Sequence, residues 1–369
     1  MTGSSAEYLN LYIHVPFCRG KCGYCAFYSH PEPDPALMDA WLERIRRDLR
    51  KAEPGLQEVH SVYFGGGTPS LLPERTLREL FLAVARYARL TPGAEVTMEA
   101  TPESVTPEKC AAAAGFVNRV SMGVQSFSAE LLRKALRRPM EPGTAERALE
   151  LWMSEAGIGN LGIDLIFGLP GETMAQWESD LRHAVELPIR HISAYSLMIE
   201  EGTPMAGTGY VPDEAQTADM WETAGSFLAA HGFPRYEISN YAEEGFQARH
   251  NQNIWHGETY LGLGPSASGF NGIDRFTEPS SLSRWLAWEP PERDAIPRER
   301  RLREIFIMGL RTVRGWSAGE FQQASGSAAD FSELNGAERA GLIERGPGGE
   351  VRPTAKGLAF WNDLAEMLL

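Results

Sequence analysis

The stretch PFCRGKCGYCAFYSH, Pro16 to His30, sets Cys18, Cys22 and Cys25 at C-x-x-x-C-x-x-C spacing directly after YLNLYIHVPF, an apolar and aromatic run that reads as a strand. Three thiols on a loop that leaves a strand are a candidate metal site. A structural zinc ion asks for four closed ligands, and no second C-x-x-C or paired histidine lies nearby. His30 is the adjacent candidate, but it precedes PEPDP and reads as a surface loop residue. A [4Fe-4S] cluster on three thiolates keeps one iron free of protein ligands. Such an iron suits a bidentate small molecule, and the amino and carboxylate groups of S-adenosylmethionine form that pair. An electron from the cluster would break the sulfonium bond and release a 5′-deoxyadenosyl radical, chemistry that belongs to the cofactors and not to side chains.

Outward from this loop, strand and helix patterns alternate. SVYFGGG, EVTMEA, VNRVSMGVQSF, LGIDLIFGLP and HISAYSLMIE read as five further strands. Pro35 to Glu53, Pro73 to Arg89, Ala129 to Arg137, Gly143 to Ala156 and Met174 to Glu186 carry apolar residues at helical spacing. Six such units predict an α/β fold with a mostly parallel sheet and right-handed crossovers: a partial (β/α)6 TIM-like barrel over residues 1–240. Each strand ends in Gly, Pro, Cys or a polar residue, at the end of a barrel where chemistry is placed. From 241 the tract HNQNIWHGETYLGLGPSASGF lacks clean periodicity, and Glu289 to Pro297 reads as a linker, so 241–297 is taken as a Gly/Asn/Trp-rich extension and linker. Residues 298–369 begin with an amphipathic helix and end in strand, Gly-rich turn, strand and a closing helix with Thr354 placed to cap it, the pattern of a winged-helix-like domain.

The 369 residues and 43% hydrophobic content support a large core. MTGSSAEYLN lacks the basic start and apolar core of a signal peptide, and no apolar run approaches the ~18 residues of a membrane span, so a cytoplasmic location with no transmembrane segment is expected. A net charge of −14 argues against a nucleic-acid partner, and RERRLR, Arg298 to Arg303, reads as the solvated face of a helix. Cys110, in the Ala-rich PEKCAAAAGF, reads as a buried, inert thiol. Gly65, Gly66 and Gly67 mark either a tight turn or close backbone approach to a ligand, and no Lys-Ser/Thr pair follows to make a phosphate loop. Glu99, Gln125 and Asp164 are polar residues near the ends of apolar strands. Each alone fits a cap, but three at equivalent places point to one site.

YIHVPFCRGKCGYCAF, VYFGGGTPS, EATPE, RVSMGVQSF, GIDLIFGLPGET, AYSLMIEEGTP, YEISNYA and LGLGP follow one another between about Tyr12 and Ala267. In that order they resemble the radical S-adenosylmethionine enzymes, in the branch that contains oxygen-independent coproporphyrinogen III dehydrogenase and the heme chaperone HemW. The resemblance implies that Cys18, Cys22 and Cys25 hold the [4Fe-4S] cluster and that Gly66, Gly67 and Thr68 meet the methionyl part of S-adenosylmethionine. It also implies that Tyr12, which periodicity alone makes an inward strand residue, and Tyr24 are cofactor contacts. Glu99, Gln125 and Asp164 take ribose or methionine contacts, and Arg137, beside Arg138, takes a cofactor carboxylate.

Two functions from different classes follow. One is a HemW-like chaperone that binds heme, the cluster and S-adenosylmethionine and transfers heme to an acceptor protein. The other is the oxidoreductase that decarboxylates coproporphyrinogen III to protoporphyrinogen IX. Either takes heme or a porphyrinogen and needs an electron donor for the cluster. The dehydrogenase branch resembles this chain but carries a further cysteine two places after the third, where Phe27 stands here, and a longer arm than the eleven residues before Tyr12. Both departures favour the chaperone. RHNQNIW resembles the chaperones' His-Asn motif ending in Tyr-Trp, with Ile254 in place of Tyr, which makes His250 a candidate heme contact; a histidine making loop hydrogen bonds is the competing reading. Ser268 replaces the histidine of the family's GLGPGAH. Radical modification of RNA, a third class, is disfavoured by the acidic charge.

Overall fold

A computed structural model of the chain describes residues 7–31, 34–133, 140–328 and 334–369. Strands β1 (Asn10–Val15), β2 (Val59–Gly66), β3 (Leu90–Ala100), β4 (Arg119–Gln125), β5 (Leu161–Phe167) and β6 (His191–Ser196) run parallel in that order. Helices α1 (Pro35–Ala52), α2 (Glu74–Tyr87), α3 (Pro107–Ala113), α4 (Thr144–Ala156) and α5 (Met174–Glu186) stand between them. After α6 (Glu214–Ala230), strand β7 (Asn240–Ala242) adds antiparallel to β6. The two edges of this sheet do not pair with each other, so the barrel is open, as the six units predicted.

Period-2 alternation builds its two faces. Leu11, Ile13, Val15, Val62, Phe64, Val96, Met98, Val120, Met122 and Val124 face the helices and are almost fully buried, each contributing about 1.5–3 kcal/mol of apolar burial. The alternating positions, Tyr63, Glu99, Arg119, Ser121, Asp164, His191 and Ser193, line the barrel interior. Local signals place the helices: Asp34 caps α1 through Ala36 N, and Thr173 with Gln176 forms a capping box on α5. The Trp41 indole on α1 donates to the His14 carbonyl at 3.2 Å and fixes the helix over the end of β1.

The region from 241 departs from the expected extension. Helix α7 (Arg249–Trp255) lies across the strand N-termini, where the Glu95 carboxylate accepts from the Arg249 and His250 backbone N–H groups, each at 2.9 Å. Strands β8 (Tyr260–Leu263), β9 (Ser268–Phe270), β10 (Asp274–Thr277) and β11 (Glu292–Ala295) then continue the sheet beyond β1 to eleven strands. The stretch from Glu289 to Pro297, read as a linker, therefore holds a strand. All four residues of β11 are exposed, so a charged edge strand replaces the apolar alternation that marks a strand in sequence. Of the helix expected over Ala129 to Arg137, Ala129–Leu131 is α-helical, and residues 134–139, Arg137 among them, lie outside the described residues.

The C-terminal unit runs α8 (Arg298–Gly309), α9 (Ala318–Ser325), α10 (Asn335–Arg339), a hairpin of β12 (Ile343–Arg345) and β13 (Val351–Pro353), then α11 (Ala355–Ala359) and α12 (Trp361–Leu368). Helices followed by a hairpin and closing helices match the winged-helix-like pattern. Its own apolar core centres on Phe306, Leu310, Trp316, Phe321, Ile343 and Leu364. Thr354 caps α11, accepting from Gly357 N at 3.0 Å. No helix among the described residues is long and apolar enough to cross a membrane.

Candidate functional site

A cavity of about 1050 Å³ occupies the barrel interior and opens at the C-terminal ends of the strands. Its mouth is the cysteine loop. Cys18, Cys22 and Cys25 are half-buried and on the cavity wall. Burial pushes the Cys25 thiol up, a backbone hydrogen bond from Phe27 opposes it, and the neighbouring Cys22 and Cys18 add to the rise. Among the described residues no three His, Cys, Asp or Glu side chains stand at metal-holding spacing. The donor set itself, three soft sulfurs on one short loop beside open cavity, fits a cluster that needs three thiolates.

The glycine loop after β2 is fastened to the cysteine loop. Gly67 N donates to the Val15 carbonyl and Thr68 N to the Phe17 carbonyl, both at 2.8 Å, and Thr68 Oγ1 lies 3.4 Å from Cys18 Sγ. Gly66 has φ +106°, and a Cβ there would strike the His14 ring; a Cβ on Gly67 would lie 2.7 and 2.8 Å from the Phe17 and Val15 carbonyl oxygens. Close backbone approach, and not a bare turn, is what these glycines permit. His14 is held in turn: its Nε2–H donates to the Tyr28 carbonyl at 2.9 Å, which leaves Nδ1 to accept from Tyr12 O–H at 3.0 Å. Burial lowers His14 to about 4, so it stays neutral.

Below the mouth lie the strand-end polar residues. Glu99 accepts from Tyr63 O–H at 2.8 Å and from Gly66 N–H at 3.1 Å, yet burial raises its carboxyl to about 7. Asp164 accepts from Ser121 Oγ at 3.1 Å and from Ser193, and burial raises it as well. Gln125 adopts φ +72° beside an irregularity in the β4–β5 register, a conformation a non-Gly residue holds at a cost of about 1–3 kcal/mol and one that clusters at functional sites. The structure therefore brings Tyr24, Gly66, Gly67, Thr68, Glu99, Gln125 and Asp164 to one cavity with the three cysteines.

Two expected contacts stand off that wall. Tyr12 spends its hydroxyl on His14. His250 is buried on α7, at the far end of the barrel from the thiols; Ser61 Oγ gives its proton to Asn10 Oδ1, so the bond at 2.7 Å is donated by His250 Nδ1–H. Its imidazole is neutral, lowered by burial to about 3. Cys110 is fully buried under the sheet, its thiol pushed up by burial to about 12, as an inert core residue. Arg119, His191, Ser121 and Ser193 reach the cavity without having been singled out from sequence. Their signal was a polar residue at every second place of an otherwise apolar strand, RVS and HIS.

Residues 12–184 match the Radical SAM superfamily. The chain is similar to the heme chaperone HemW of Lactococcus lactis, 31% identical over 97% of this chain and 96% of that protein. It is likewise similar to the heme chaperone HemW of Haemophilus influenzae, 32% identical over 98% of each, and of Escherichia coli, 39% identical over 71% and 70%. Among solved structures it resembles coproporphyrinogen III oxidase (HemN) of Escherichia coli, with TM-score 0.84 and 21% identity over 99% of this chain and 91% of that one, a likeness of fold.

Proposed function

The chain belongs to the radical SAM superfamily and, within it, to the HemW family, and from that premise we propose that it is a heme chaperone that binds heme, a [4Fe-4S] cluster and S-adenosylmethionine and delivers heme to an acceptor protein. The observation that carries the reading is full-length similarity to proteins named heme chaperone, together with Phe27 at the place where the dehydrogenase branch has its extra cysteine.

Cys18, Cys22 and Cys25 would hold the cluster, which supplies one-electron chemistry when bound. Gly66 and Gly67 let the backbone reach S-adenosylmethionine, Thr68 stands beside Cys18, and Tyr24 flanks the thiols. Glu99 and Asp164 face the cavity as acceptors for ribose hydroxyls, with Gln125 aimed by its unusual backbone. Tyr12 and His14 act behind the wall, setting the glycine loop through the neutral His14 ring. Phe27 and Met198, 70% and 65% exposed at the mouth, give it an apolar rim suited to a flat porphyrin face. A cavity of about 1050 Å³ has room for more than one small ligand, against a usual ~300–1,000 Å³ for a single site.

The test is anaerobic reconstitution followed by two assays. Wild-type protein is expected to assemble a [4Fe-4S] spectrum that Cys22→Ala loses, and to retain heme on titration. Incubation with coproporphyrinogen III, reductant and S-adenosylmethionine is expected to leave the porphyrinogen unchanged, and a vinyl-bearing product would overturn the chaperone reading for the dehydrogenase. His250 stands off the cavity wall with its Nδ1–H on Ser61, so His250→Ala is expected to leave heme retention unchanged, and a weakened retention would return His250 to the proposal.

A further inference from the structure

At the base of the cavity, beneath Glu99 and Asp164, a guanidinium has no hydrogen-bond partner at its Nε among the described residues. It belongs to Arg119, which is 2% exposed and lines the cavity, and that Nε is buried. A structural arginine at such depth is normally forked onto a carboxylate, because a buried charge is costly unless paired. The three carboxylates near enough to act on it, Glu95, Asp164 and Glu99, are otherwise engaged, Glu99 with Tyr63 O–H and Gly66 N–H. Glu95 caps α7 through the Arg249 and His250 N–H groups, and Asp164 takes Ser121 and Ser193. They balance the charge through space and leave the Nε–H of its planar fork unused.

A second donor stands in the same interior. Tyr236 Oη accepts from Ala248 N at 3.2 Å, and the one acceptor its O–H has among the described residues is His191 Nε2 at 2.8 Å; donation there places the imidazole proton on Nδ1. That Nδ1 is buried without a partner, as is Thr97 Oγ1, the register neighbour of Arg119 on β3. A fixed cation and an unspent N–H, both preorganised by neighbouring strands, recognise an anion, and the planar fork of arginine recognises a carboxylate best.

We infer that Arg119, assisted by His191, is a carboxylate-binding subsite at the base of the cavity. The proposal rests on the ligand set above and adds to it a residue that the cysteine and glycine motifs do not supply. A heme propionate and the amino-acid carboxylate of S-adenosylmethionine carry the same chemistry, and the experiment separates them. Reconstituted full-length protein is titrated with heme, heme dimethyl ester and S-adenosylmethionine, in wild type, Arg119→Gln and Arg119→Lys. Loss of a charge-assisted pair should weaken the carboxylate-bearing ligand roughly ten- to hundredfold in Arg119→Gln, with partial retention in Arg119→Lys. If heme is the source, wild type should also discriminate against the diester and Arg119→Gln should not. If S-adenosylmethionine is the source, its affinity falls and heme retention is unchanged. Cluster absorbance and urea midpoint report folding; should Arg119→Gln not fold, Arg119→Lys and the wild-type diester comparison decide. Unchanged affinity for both ligands in a folded variant would overturn the subsite. A wild type that binds no heme at all would overturn the chaperone reading instead, while the S-adenosylmethionine arm still tests Arg119.

Discussion

Replacing Glu99 with Gln should stabilise the ligand-free protein, and only at alkaline pH. Glu99 is raised from 4.5 to about 7, chiefly by burial, in spite of the donors Tyr63 and Gly66. A carboxyl whose folded value lies above its unfolded one binds its proton more tightly when folded. Its contribution is therefore fully present below pH 4.5 and is lost as pH rises through about 7. A rise of this size is worth about 3 kcal/mol in full, and of it about 2.5 kcal/mol falls between pH 5 and pH 8. Glu99 faces a water-accessible cavity, so about 1–2 kcal/mol is the effect to expect after screening. Gln mimics the protonated acid, since its one carbonyl oxygen can keep the Tyr63 or the Gly66 hydrogen bond but not both. The assay is urea unfolding of cluster-free protein at pH 5 and pH 8. The two proteins should be nearly equal at pH 5, with Glu99→Gln ahead by about 1–2 kcal/mol at pH 8. Other buried carboxyls, such as Glu172 and Asp180, are raised too, and they cancel in the difference. An equal gap at both pH values, or a wild type ahead at pH 8, would refute the reasoning.

Gly67→Ala should cost about 1–3 kcal/mol and lower cluster yield on reconstitution, because its methyl meets backbone carbonyls that cannot rotate away; Gly159→Ala, with nothing within 4 Å, is the control and should leave both measurements unchanged. Arg311→Met should cost about 2–4 kcal/mol in urea unfolding by stranding Glu237, which is fully buried and 3.1 Å from Arg311. Adding Glu237→Gln should recover much of that loss, and a double variant no better than the single one would show that the charge is not what matters.

The parts of this fold that were legible in the sequence are those where each residue's job is set by its neighbours along the chain. Cys18, Cys22 and Cys25 declare their loop by spacing, while GGGTP fits either a tight turn or a close approach, and the contacts a Cβ would meet at Gly66 and Gly67 decide for the second. Glu99, Gln125 and Asp164 stood out as polar interruptions at strand ends. Strands β8 to β11 were hidden because three- and four-residue strands show too few alternations to carry a period, and three of the four residues of β11 are charged. Arg119 was hidden for a different reason. Its strand was recognised, but which face looks inward is a matter of register, and one step of register exchanges Arg119 for Val120. His250 shows the reverse limit: its motif resembled a ligand site, while the position of α7 under the strand N-termini is a tertiary fact that no local pattern holds.

The short segment from Tyr236 to Asn240 explains why the C-terminal unit and the cavity are one mechanical problem. The Tyr236 hydroxyl holds His191 at the cavity base, while its carbonyl accepts from Val313 N at 3.0 Å. Glu237 takes Ser239 N and Asn240 Nδ2 on one oxygen, each at 2.6 Å, and Arg311 on the other. Ser239 and Asn240 are themselves on the cavity wall. The segment thus links the ligand space, through His191, Ser239 and Asn240, to the C-terminal unit, through the Tyr236 carbonyl and Glu237, and Ile238 gives its carbonyl to the Trp221 indole on α6. Because protein interiors are close-packed, a shift of the C-terminal unit is expected to reach the cavity along these bonds. The Arg311→Met variant should accordingly lose ligand affinity at the cavity as well as stability, through the orientation of His191, and an unchanged affinity would separate the two.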